Sequence, residues 1–285
     1  MKDDLSVVVQ QCDTTLGDID ENRGRIEALT RDCRGADLVV FPELALTGYS
    51  VREGAEGVAV SLDAGCPLTL PADGPAVALG LVERGDDQRI YNSASVYRGE
   101  VLLHRHRKVY LPTYGIFEEG RFFAPGASPV LPFDLIPGWR TGLLVCEDFW
   151  HPALSYLLAI QGIDLLLVLS AAPGRGAVMT SQGGVTFTSS APWLQMARTT
   201  ALQYGLYLIL CNRAGVEGEL TFAGGSMVVA PDGGVVASAP EGEVARLNVV
   251  LDPDLIRQAR DPFSHLREED PVRLRDELNR FLRER

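Results

Sequence analysis

Gly142-Leu143-Leu144-Val145-Cys146-Glu147-Asp148 is an apolar run that ends abruptly in a thiol and two carboxylates. A short uncharged run of this kind is typical of a strand buried on both faces of its sheet. A helix is expected to begin at Pro152, because proline fits the first position of a helix. The pattern predicts a strand from 139 to 146 that presents Cys146 at its end and then runs into a helix.

The same arrangement of strand, helix and strand opens the chain. Residues 5–10 are predicted to form a strand, 18–34 a helix with apolar residues at helical spacing, and 38–41 a buried strand that stops at Pro42-Glu43. Alternating strands and helices interrupted by hairpins predict a layered α/β architecture, with two packed sheets and helices outside. The other predicted strands are 79–83, 90–97, 101–107, 164–169, 206–211, 225–229, 235–237 and 244–251, and the other predicted helices are 53–62, 152–161 and 193–204.

Two segments are predicted to be loops, and the C-terminus is predicted to be helical. Residues 111–126 are interrupted by Gly and Pro, and residues 174–190 are rich in Gly, Ser and Thr, which favours a mobile loop or lid.

Asp270 can cap a last helix that has one apolar face, and this face should pack on the body or on a partner. That face carries Leu274, Leu278, Phe281 and Leu282. We expect one catalytic domain over 1–260 and a helical extension over 261–285.

Three reactive side chains stand where predicted strands end, namely Glu43, Lys108 and Cys146. A thiol with its ordinary pKa of about 8.5 is mostly protonated at neutral pH, so a nucleophilic cysteine needs a base or a nearby positive charge. Glu43 would supply the base and Lys108 the cation. Lys108 and the backbone N–H of Glu147 would also stabilise negative charge that develops when sulfur attacks an amide or nitrile carbon. The pattern predicts covalent catalysis.

The composition is that of a globular protein and disfavours several classes of partner. Of the 285 residues, 46% are hydrophobic and 22% charged, which suits a substantial core. The net charge of −12 argues against nucleic acid and anionic membrane surfaces. No run approaches the roughly 20 apolar residues of a membrane helix, and the N-terminus lacks a signal-peptide pattern.

The cysteines and histidines indicate neither disulfides nor a metal. Five cysteines without paired spacing fit reduced thiols, so we expect a cytoplasmic location. Four scattered histidines and no cysteine cluster give no metal site, and no glycine-rich fingerprint suggests a dinucleotide, so no cofactor is expected. The cysteines expected to be structural are Cys12, Cys33, Cys66 and Cys211.

Short segments spread along the chain carry a family resemblance through their order and spacing. They are Val40-Phe41-Pro42-Glu43, Thr47-Gly48-Tyr49, Tyr91-Asn92-Ser93-Ala94, Arg107-Lys108-Val109-Tyr110-Leu111-Pro112, Phe117-Glu118-Glu119, Cys146-Glu147-Asp148, Cys211-Asn212-Arg213-Ala214-Gly215 and Gly224-Gly225-Ser226. Together they resemble the nitrilase, or carbon–nitrogen hydrolase, superfamily over nearly the whole chain.

The resemblance implies an α-β-β-α sandwich that forms homodimers or larger homo-oligomers. The fold we expect is a single domain of this kind with a C-terminal helical tail. It also implies a catalytic set of Glu43, Lys108 and Cys146. Glu119 matches a second glutamate that positions the substrate or assists proton transfer. Glu118 stays open as its alternative, should the frame slip by one residue.

Within the superfamily, residues 108–123 and 146–150 look most like the glutaminase domain of glutamine-dependent NAD synthetase. By that resemblance Tyr114, Phe117 and Glu147 line a pocket for a glutamine-like side chain, although the first two could merely pack the loop. Glu147 favours an amide, since true nitrilases tend to have Trp after the cysteine. Ala172 departs from the pattern, which has a serine before the proline. The sequence has no room for an ATP-using synthetase domain and no phosphate-cradling loop, so we expect a stand-alone chain.

We therefore expect hydrolysis of a non-peptide carbon–nitrogen bond, in a small-molecule amide, through a thioester that releases ammonia or an amine. Two alternatives stay open: a glutaminase subunit that feeds ammonia to a separate synthetase, and a non-catalytic scaffold that kept the fold. His151 is a minor alternative as the base, and Asp148 is expected to stabilise the turn or the helix start after the nucleophile. Substrate identity stays open.

Overall fold

The computed structural model describes residues 3–127, 129–180, 184–262 and 265–284. Within these ranges strands and helices alternate along the chain. The strands are β1 (Leu5–Gln11), β2 (Leu38–Val40), β3 (Ala76–Arg84), β4 (Ile90–Arg98), β5 (Val101–Arg107), β6 (Phe133–Ile136), β7 (Trp139–Val145), β8 (Leu165–Ser170), β9 (Ala177–Met179), β10 (Val185–Phe187), β11 (Tyr207–Asn212), β12 (Ala214–Glu217), β13 (Leu220–Ala223), β14 (Met227–Val229), β15 (Val235–Ser238) and β16 (Ala245–Leu251). The helices are α1 (Ile19–Arg31), α2 (Ala55–Val58), α3 (Pro152–Ile160), α4 (Ser190–Tyr204), α5 (Pro253–Arg260) and α6 (Pro271–Arg283).

Two six-stranded sheets form the centre of the molecule. The first has the order β16-β1-β2-β3-β4-β5, and the second has the order β15-β14-β11-β8-β7-β6. Each sheet has a parallel centre, β1-β2-β3 in one and β7-β8-β11 in the other, flanked by antiparallel strands. Parallel strands end at the same edge of a sheet, so β7 and β8 of the second sheet deliver the residues that follow them to neighbouring positions.

Alternate residues of the strands hold the two sheets together. Val7 and Val40 of the first sheet share one core with Leu143, Val145 and Leu167 of the second. Because side chains alternate along a strand, the residues between these point to the opposite faces. Each such apolar side chain, when fully buried, stabilises the fold by roughly 1.5–3 kcal/mol.

The outer faces of both sheets are covered by helices. Ile26 of α1 packs with Val39 on the outer side of the first sheet. Leu158 of α3 and Ala197 of α4 pack with Leu144 on the outer side of the second. The layers are therefore helix, sheet, sheet and helix, which confirms the predicted α-β-β-α sandwich.

The predicted loop at 174–190 is wrong for the part that the structure describes. Residues flanking 181–183, which lie outside the described residues, form an antiparallel hairpin of β9 and β10. The hairpin is held from elsewhere, because Glu241 accepts hydrogen bonds from the Thr186 hydroxyl and from the Phe187 N–H. Glu241 lies more than fifty residues further along the chain, so nothing in the sequence of residues 174–190 indicates that it holds the hairpin. The content of Gly, Ser and Thr alone therefore favoured a mobile loop or lid.

The predicted helix at 53–62 is shorter than expected, and other elements escaped prediction. A 3₁₀ turn at Arg52–Gly54 leads into α2, which ends when Ala59 adopts an extended conformation. The structure adds β6, the hairpin of β12 and β13, and α5. The signal for α5 was present, since Asp252 caps the helix and Pro253 occupies its first turn.

Helix α6 begins as predicted, with the Asp270 carboxylate accepting from the Arg273 N–H. None of its described side chains is buried. Leu278 and Phe281 of the predicted apolar face remain about half exposed, at 53% and 50%. Most of this face is therefore exposed in the described residues, and a partner that covers it stays a prediction.

Within the described residues, no helix has both the length and the apolar character needed to span a bilayer.

Candidate active site

The ends of three strands deliver the predicted reactive residues to one place between the sheets. Lys108 follows β5 directly, and Cys146 follows β7 directly. Glu43 comes three residues after the end of β2. Its carboxylate reaches the second sheet, where Oε2 accepts from the Ala171 N–H, just beyond β8, at 2.8 Å. The site therefore bridges the two sheets.

Lys108 lies between two buried carboxylates. Its Nζ is 2.8 Å from Oε1 of Glu43 and 2.8 Å from the Glu119 carboxylate. The lysine and Glu43 are fully buried, and Glu119 is nearly so. Glu118, the alternative to Glu119, points outward and pairs with Arg121.

Two further side chains fix the orientation of the glutamates. Asn92 Nδ2 donates to Glu43 Oε1 at 2.8 Å and lies 3.4 Å from Oε2 of Glu119. The Tyr49 hydroxyl donates to Glu119 Oε1 at 2.7 Å. With Lys108, these donors occupy most of the carboxylate lone pairs, which explains how two acidic groups share a buried space.

The charges in this cluster depend on one another. Burial alone would lower the pKa of Lys108, but the charges of Glu119 and Glu43 raise that pKa well above its ordinary value. Burial raises the pKa of Glu119 despite the opposing effect of Lys108. Lys108 therefore carries a permanent positive charge at neutral pH, next to a glutamate that takes up a proton more readily than usual.

Cys146 sits on a strained turn. Its φ is +44°, in the left-handed region that costs a residue other than glycine about 1–3 kcal/mol and recurs at functional sites. The turn continues as a 3₁₀ segment, Cys146–Trp150. The half-buried thiol lies 3.4 Å from the Ser170 hydroxyl, which donates to the sulfur. The strand end and the turn together aim the sulfur at the site.

Burial and the negative charge of Glu43 raise the pKa of the Cys146 thiol well above its ordinary value, and Lys108 only partly offsets them. The resting sulfur is therefore protonated at neutral pH. The thiolate is the reactive form, so reaction with methyl methanethiosulfonate should keep accelerating as the pH rises past the ordinary thiol pKa of about 8.5. Peptide mass mapping measures this rate at Cys146, with circular dichroism to check folding. A rate that levels off at or below the ordinary thiol pKa would contradict the raised pKa.

Asp148 ties the nucleophile to the lysine. Its Oδ1 accepts from the N–H groups of Val109 and Tyr110, which follow Lys108, at 2.9 Å each. Its Oδ2 lies 2.8 Å from His106 Nε2 and accepts from the Val145 N–H, just before the cysteine, at 3.3 Å. The carboxylate is fully buried, so it acts as a clamp between β5 and the turn after β7.

Tyr114, Phe117 and Glu147 come together as one wall. The Tyr114 hydroxyl lies 2.9 Å and 3.0 Å from the two Glu147 carboxylate oxygens. The rings of Tyr114 and Phe117 meet edge to face, with centroids 5.5 Å apart. His151, the minor alternative as a base, stacks on Tyr110 and faces Glu147 at 3.9 Å. No described hydrogen bond joins it to Cys146.

The family of the chain follows from comparison with known proteins. A model of the carbon–nitrogen hydrolase family matches residues 7–261. The chain belongs to the carbon–nitrogen hydrolase family. The family description is that of a hydrolase, and the matched residues include every side chain of the site described above.

Relatives of this carbon–nitrogen hydrolase include a synthetase, a nitrilase and an amidase. The chain is 32% identical to the glutamine-dependent NAD(+) synthetase of Thermotoga maritima over 90% of its own length and 44% of the synthetase. It is 29% identical to a nitrilase of Pyrococcus abyssi, covering 93% of itself and 98% of the relative. The solved amidase of a Nesterenkonia species is 25% identical, covers 95% of both chains and superimposes with a TM-score of 0.74. The chain thus spans less than half the length of the synthetase.

The contacts of Tyr49, Asn92 and Ala171 in this carbon–nitrogen hydrolase were not foreseen. Tyr49 and Asn92 lie in segments that carried the family resemblance, and that was the available signal. Ala171 contributes only its N–H, which no side-chain pattern reveals.

Within the described residues, no cluster of three or more His, Cys, Asp or Glu is placed to hold a metal ion.

Asp148→Asn should lower both the stability and the activity of this hydrolase, because it removes part of the clamp between β5 and the turn after β7. An amide has one acceptor oxygen where the carboxylate has two, so at least one of the four donors loses its partner, at about 1–3 kcal/mol. We expect a lower free energy of unfolding in urea and a lower kcat, because Lys108 and Cys146 lose their shared support. Asp134→Asn, at an exposed position of β6, is the matched control. Equal stability of both variants would contradict the clamp.

Proposed function

We propose that this chain is an amidase that uses Cys146 as nucleophile, Glu43 as general base and Lys108 as the stabilising cation, with Glu119 as an assisting carboxylate. One observation carries the proposal: Lys108 Nζ lies 2.8 Å from the carboxylates of both Glu43 and Glu119. Cys146 follows the end of a neighbouring strand. Proton transfer, charge stabilisation and nucleophilic attack thereby become available within one buried cluster.

Acylation begins with a protonated thiol. Glu43 accepts the thiol proton as the sulfur of Cys146 bonds to the amide carbon, and the carbonyl oxygen becomes an oxyanion. Lys108 and the Glu147 N–H stabilise that oxyanion. Glu43 then returns the proton to the leaving nitrogen, the carbon–nitrogen bond breaks, and ammonia or an amine departs from a thioester on Cys146.

Deacylation uses the same groups with water. Glu43 takes a proton from water as the water oxygen attacks the thioester carbon. The carbon–sulfur bond breaks, a carboxylic acid leaves, and the proton returns to sulfur. Glu119 assists because the hydrogen bonds that it accepts from Lys108 and Tyr49 hold the Lys108 ammonium group where the oxyanion develops.

An amide rather than a nitrile is the proposed substrate. Glu147, directly after the nucleophile, presents a carboxylate held by Tyr114. The amidase among the solved relatives has the same fold over nearly all of both chains. An ammonia-release screen of amides, nitriles and carbamoyl compounds, with Cys146→Ala as the blank, tests the proposal. Cysteine-dependent release from nitriles alone would overturn the choice of an amide.

A glutaminase subunit is the second candidate. The identity of 32% to a glutamine-dependent NAD(+) synthetase and the contact of Tyr114 with Glu147 favour it. Against it, Ala172 offers no hydroxyl, and its N–H is already bonded to Asn212. Ammonia release from glutamine alone, measured with and without an added synthetase, decides between the two. No release under either condition would remove this candidate.

We also propose that the chain forms a homodimer or a larger homo-oligomer in the cytoplasm. The exposed apolar side chains of α6 support the first part, since such a face is costly in water. Free cysteines throughout support a reducing compartment. Light scattering of purified protein, compared with Leu278→Glu, tests the assembly. A monomeric mass for both would contradict it.

A further inference from the structure

The last residue of β8, Ser170, lies beside the nucleophile. The parallel pairing of β7 and β8 sets Val145 opposite Leu169, so the residues that follow, Cys146 and Ser170, are neighbours at the same edge of the second sheet. The Ser170 side chain is fully buried, and its hydroxyl lies 3.4 Å from the Cys146 sulfur. The contact is therefore shielded from water, where a hydrogen bond is stronger than at the surface.

The backbone around Ser170 is held from two sides. Ser170 pairs with Asn212 of β11, and its carbonyl accepts from the Arg213 N–H at 2.9 Å. The next N–H along the chain, that of Ala171, donates to Glu43 Oε2 at 2.8 Å. The same strand end thus touches both the nucleophile and the proposed base, and these contacts fix where the serine side chain starts.

The direction of the hydrogen bond follows from what the hydroxyl can reach. Among the described residues, the Cys146 sulfur is the sole hydrogen-bond partner of the Ser170 hydroxyl. A buried hydroxyl proton without an acceptor is costly, so the hydroxyl donates to the sulfur. That direction also leaves the S–H bond of Cys146 free to turn towards the Glu43 carboxylate, as acylation requires.

A hydroxyl in this position favours negative charge on the sulfur. A neutral thiol is a weak acceptor, whereas a hydrogen bond to an ionised group is roughly twice as strong as one between neutral groups. Burial and the charge of Glu43 raise the pKa of the Cys146 thiol, and two groups, Lys108 and Ser170, act in the opposite direction. Ser170 is the one of these two that touches the sulfur through a hydrogen bond.

This inference rests on the proposed amidase function and adds a residue to its machinery. We propose that Ser170 is a catalytic residue whose hydroxyl stabilises the Cys146 sulfur whenever the sulfur carries negative charge. This charge develops first in acylation, as Glu43 takes the thiol proton and the sulfur bonds to the amide carbon. It develops again in deacylation, when the carbon–sulfur bond breaks, the electron pair stays on the sulfur and Glu43 returns a proton to it. Ser170 keeps its own proton throughout.

Two pairs of proteins that differ in the hydroxyl test the inference. The unaltered chain is compared with Ser170→Ala, and Ser170→Thr is compared with Ser170→Val, since threonine and valine have nearly the same shape. In each pair, the member without the hydroxyl should react with methyl methanethiosulfonate about ten- to a hundredfold more slowly, at a fixed pH below the ordinary thiol pKa of about 8.5. The value of kcat/KM on an accepted amide should fall by a similar factor. Circular dichroism checks the folding of each variant.

Ser155→Ala is the matched control. Ser155 of α3 is also buried, but its hydroxyl has no hydrogen-bond partner among the described residues, so both rates should stay unchanged. Equal rates within both Ser170 pairs would overturn the inference. A loss in Ser170→Ala without a difference between Ser170→Thr and Ser170→Val would overturn it too, because altered packing would then be the cause.

The thiol reaction needs no amide, so the outcomes separate this inference from the proposed function. If amides are hydrolysed in a Cys146-dependent way and the hydroxyl changes neither rate, the inference is overturned and the amidase stands. If no amide is turned over but the hydroxyl still speeds the thiol reaction, the amidase fails and the stabilisation of the sulfur stands. A faster thiol reaction without any effect on amide turnover would overturn the catalytic role of Ser170.

Discussion

Glu43→Gln should lower kcat on an accepted amide by about 10²–10⁴-fold, the usual contribution of positioned proton transfer. The size follows from the state of the nucleophile. Burial and the Glu43 charge raise the pKa of the Cys146 thiol well above its ordinary value, so the thiolate is scarce before the substrate binds. Without the Glu43 carboxylate, the proposed general base for the thiol proton is missing.

The same variant should also lose some stability. Glu43 accepts from Lys108 and Asn92 through Oε1 and from the Ala171 N–H through Oε2. A glutamine amide has only one acceptor oxygen, so one of these buried donors is left unpaired, at about 1–3 kcal/mol. Urea unfolding followed by circular dichroism measures that loss and shows whether the variant is folded under assay conditions.

Glu118→Gln is the matched control for this variant. Glu118 is adjacent to the site in sequence, but its side chain is half-exposed and paired with Arg121. We expect its kcat and its unfolding free energy to equal those of the unaltered chain. A folded Glu43→Gln variant with the kcat of the control would show that another group takes the proton.

Lys108→Met should lower both the free energy of unfolding and kcat. The lysine is the shared partner of two buried carboxylates, so its removal leaves Glu43 and Glu119 facing each other without a cation. Breaking a buried ion pair by removing one partner costs about 3–5 kcal/mol. Loss of the charge opposite the developing oxyanion should lower kcat by about 10²–10³-fold.

A double variant separates these two effects. Lys108→Met with Glu119→Gln removes one of the repelling carboxylates and should recover part of the unfolding free energy. It should recover none of the activity, because the cation is still absent. If the double variant regained activity together with stability, the lysine would be structural rather than a stabiliser of negative charge.

The strand ends were predictable because their chemistry is local. β7 and β5 are runs that stop at charged or reactive side chains, so Cys146 and Lys108 could be placed directly after them. The apolar runs at 38–41 and 164–169 likewise predicted the buried centres of both sheets. Alternation of these strands with helices predicted the layers, and the family resemblance supplied their order.

What failed to be predicted depends on contacts between distant parts of the chain. The hairpin of β9 and β10 relies on Glu241, and the orientation of Glu119 relies on Tyr49, seventy residues away. Asp148 was expected only to stabilise its own turn, whereas it also accepts from Val109 and Tyr110 across the sheet. Such contacts become visible only once the sheets are assembled.

The central claim is that Cys146 attacks an amide carbon and carries the acyl group. Ammonia release across the amide panel, with the intact mass of the protein recorded during turnover, tests it most directly. We predict ammonia release by the unaltered chain, a mass increase equal to the acyl group on the peptide that contains Cys146, and neither with Cys146→Ala. Full turnover by a folded Cys146→Ala variant would contradict the claim.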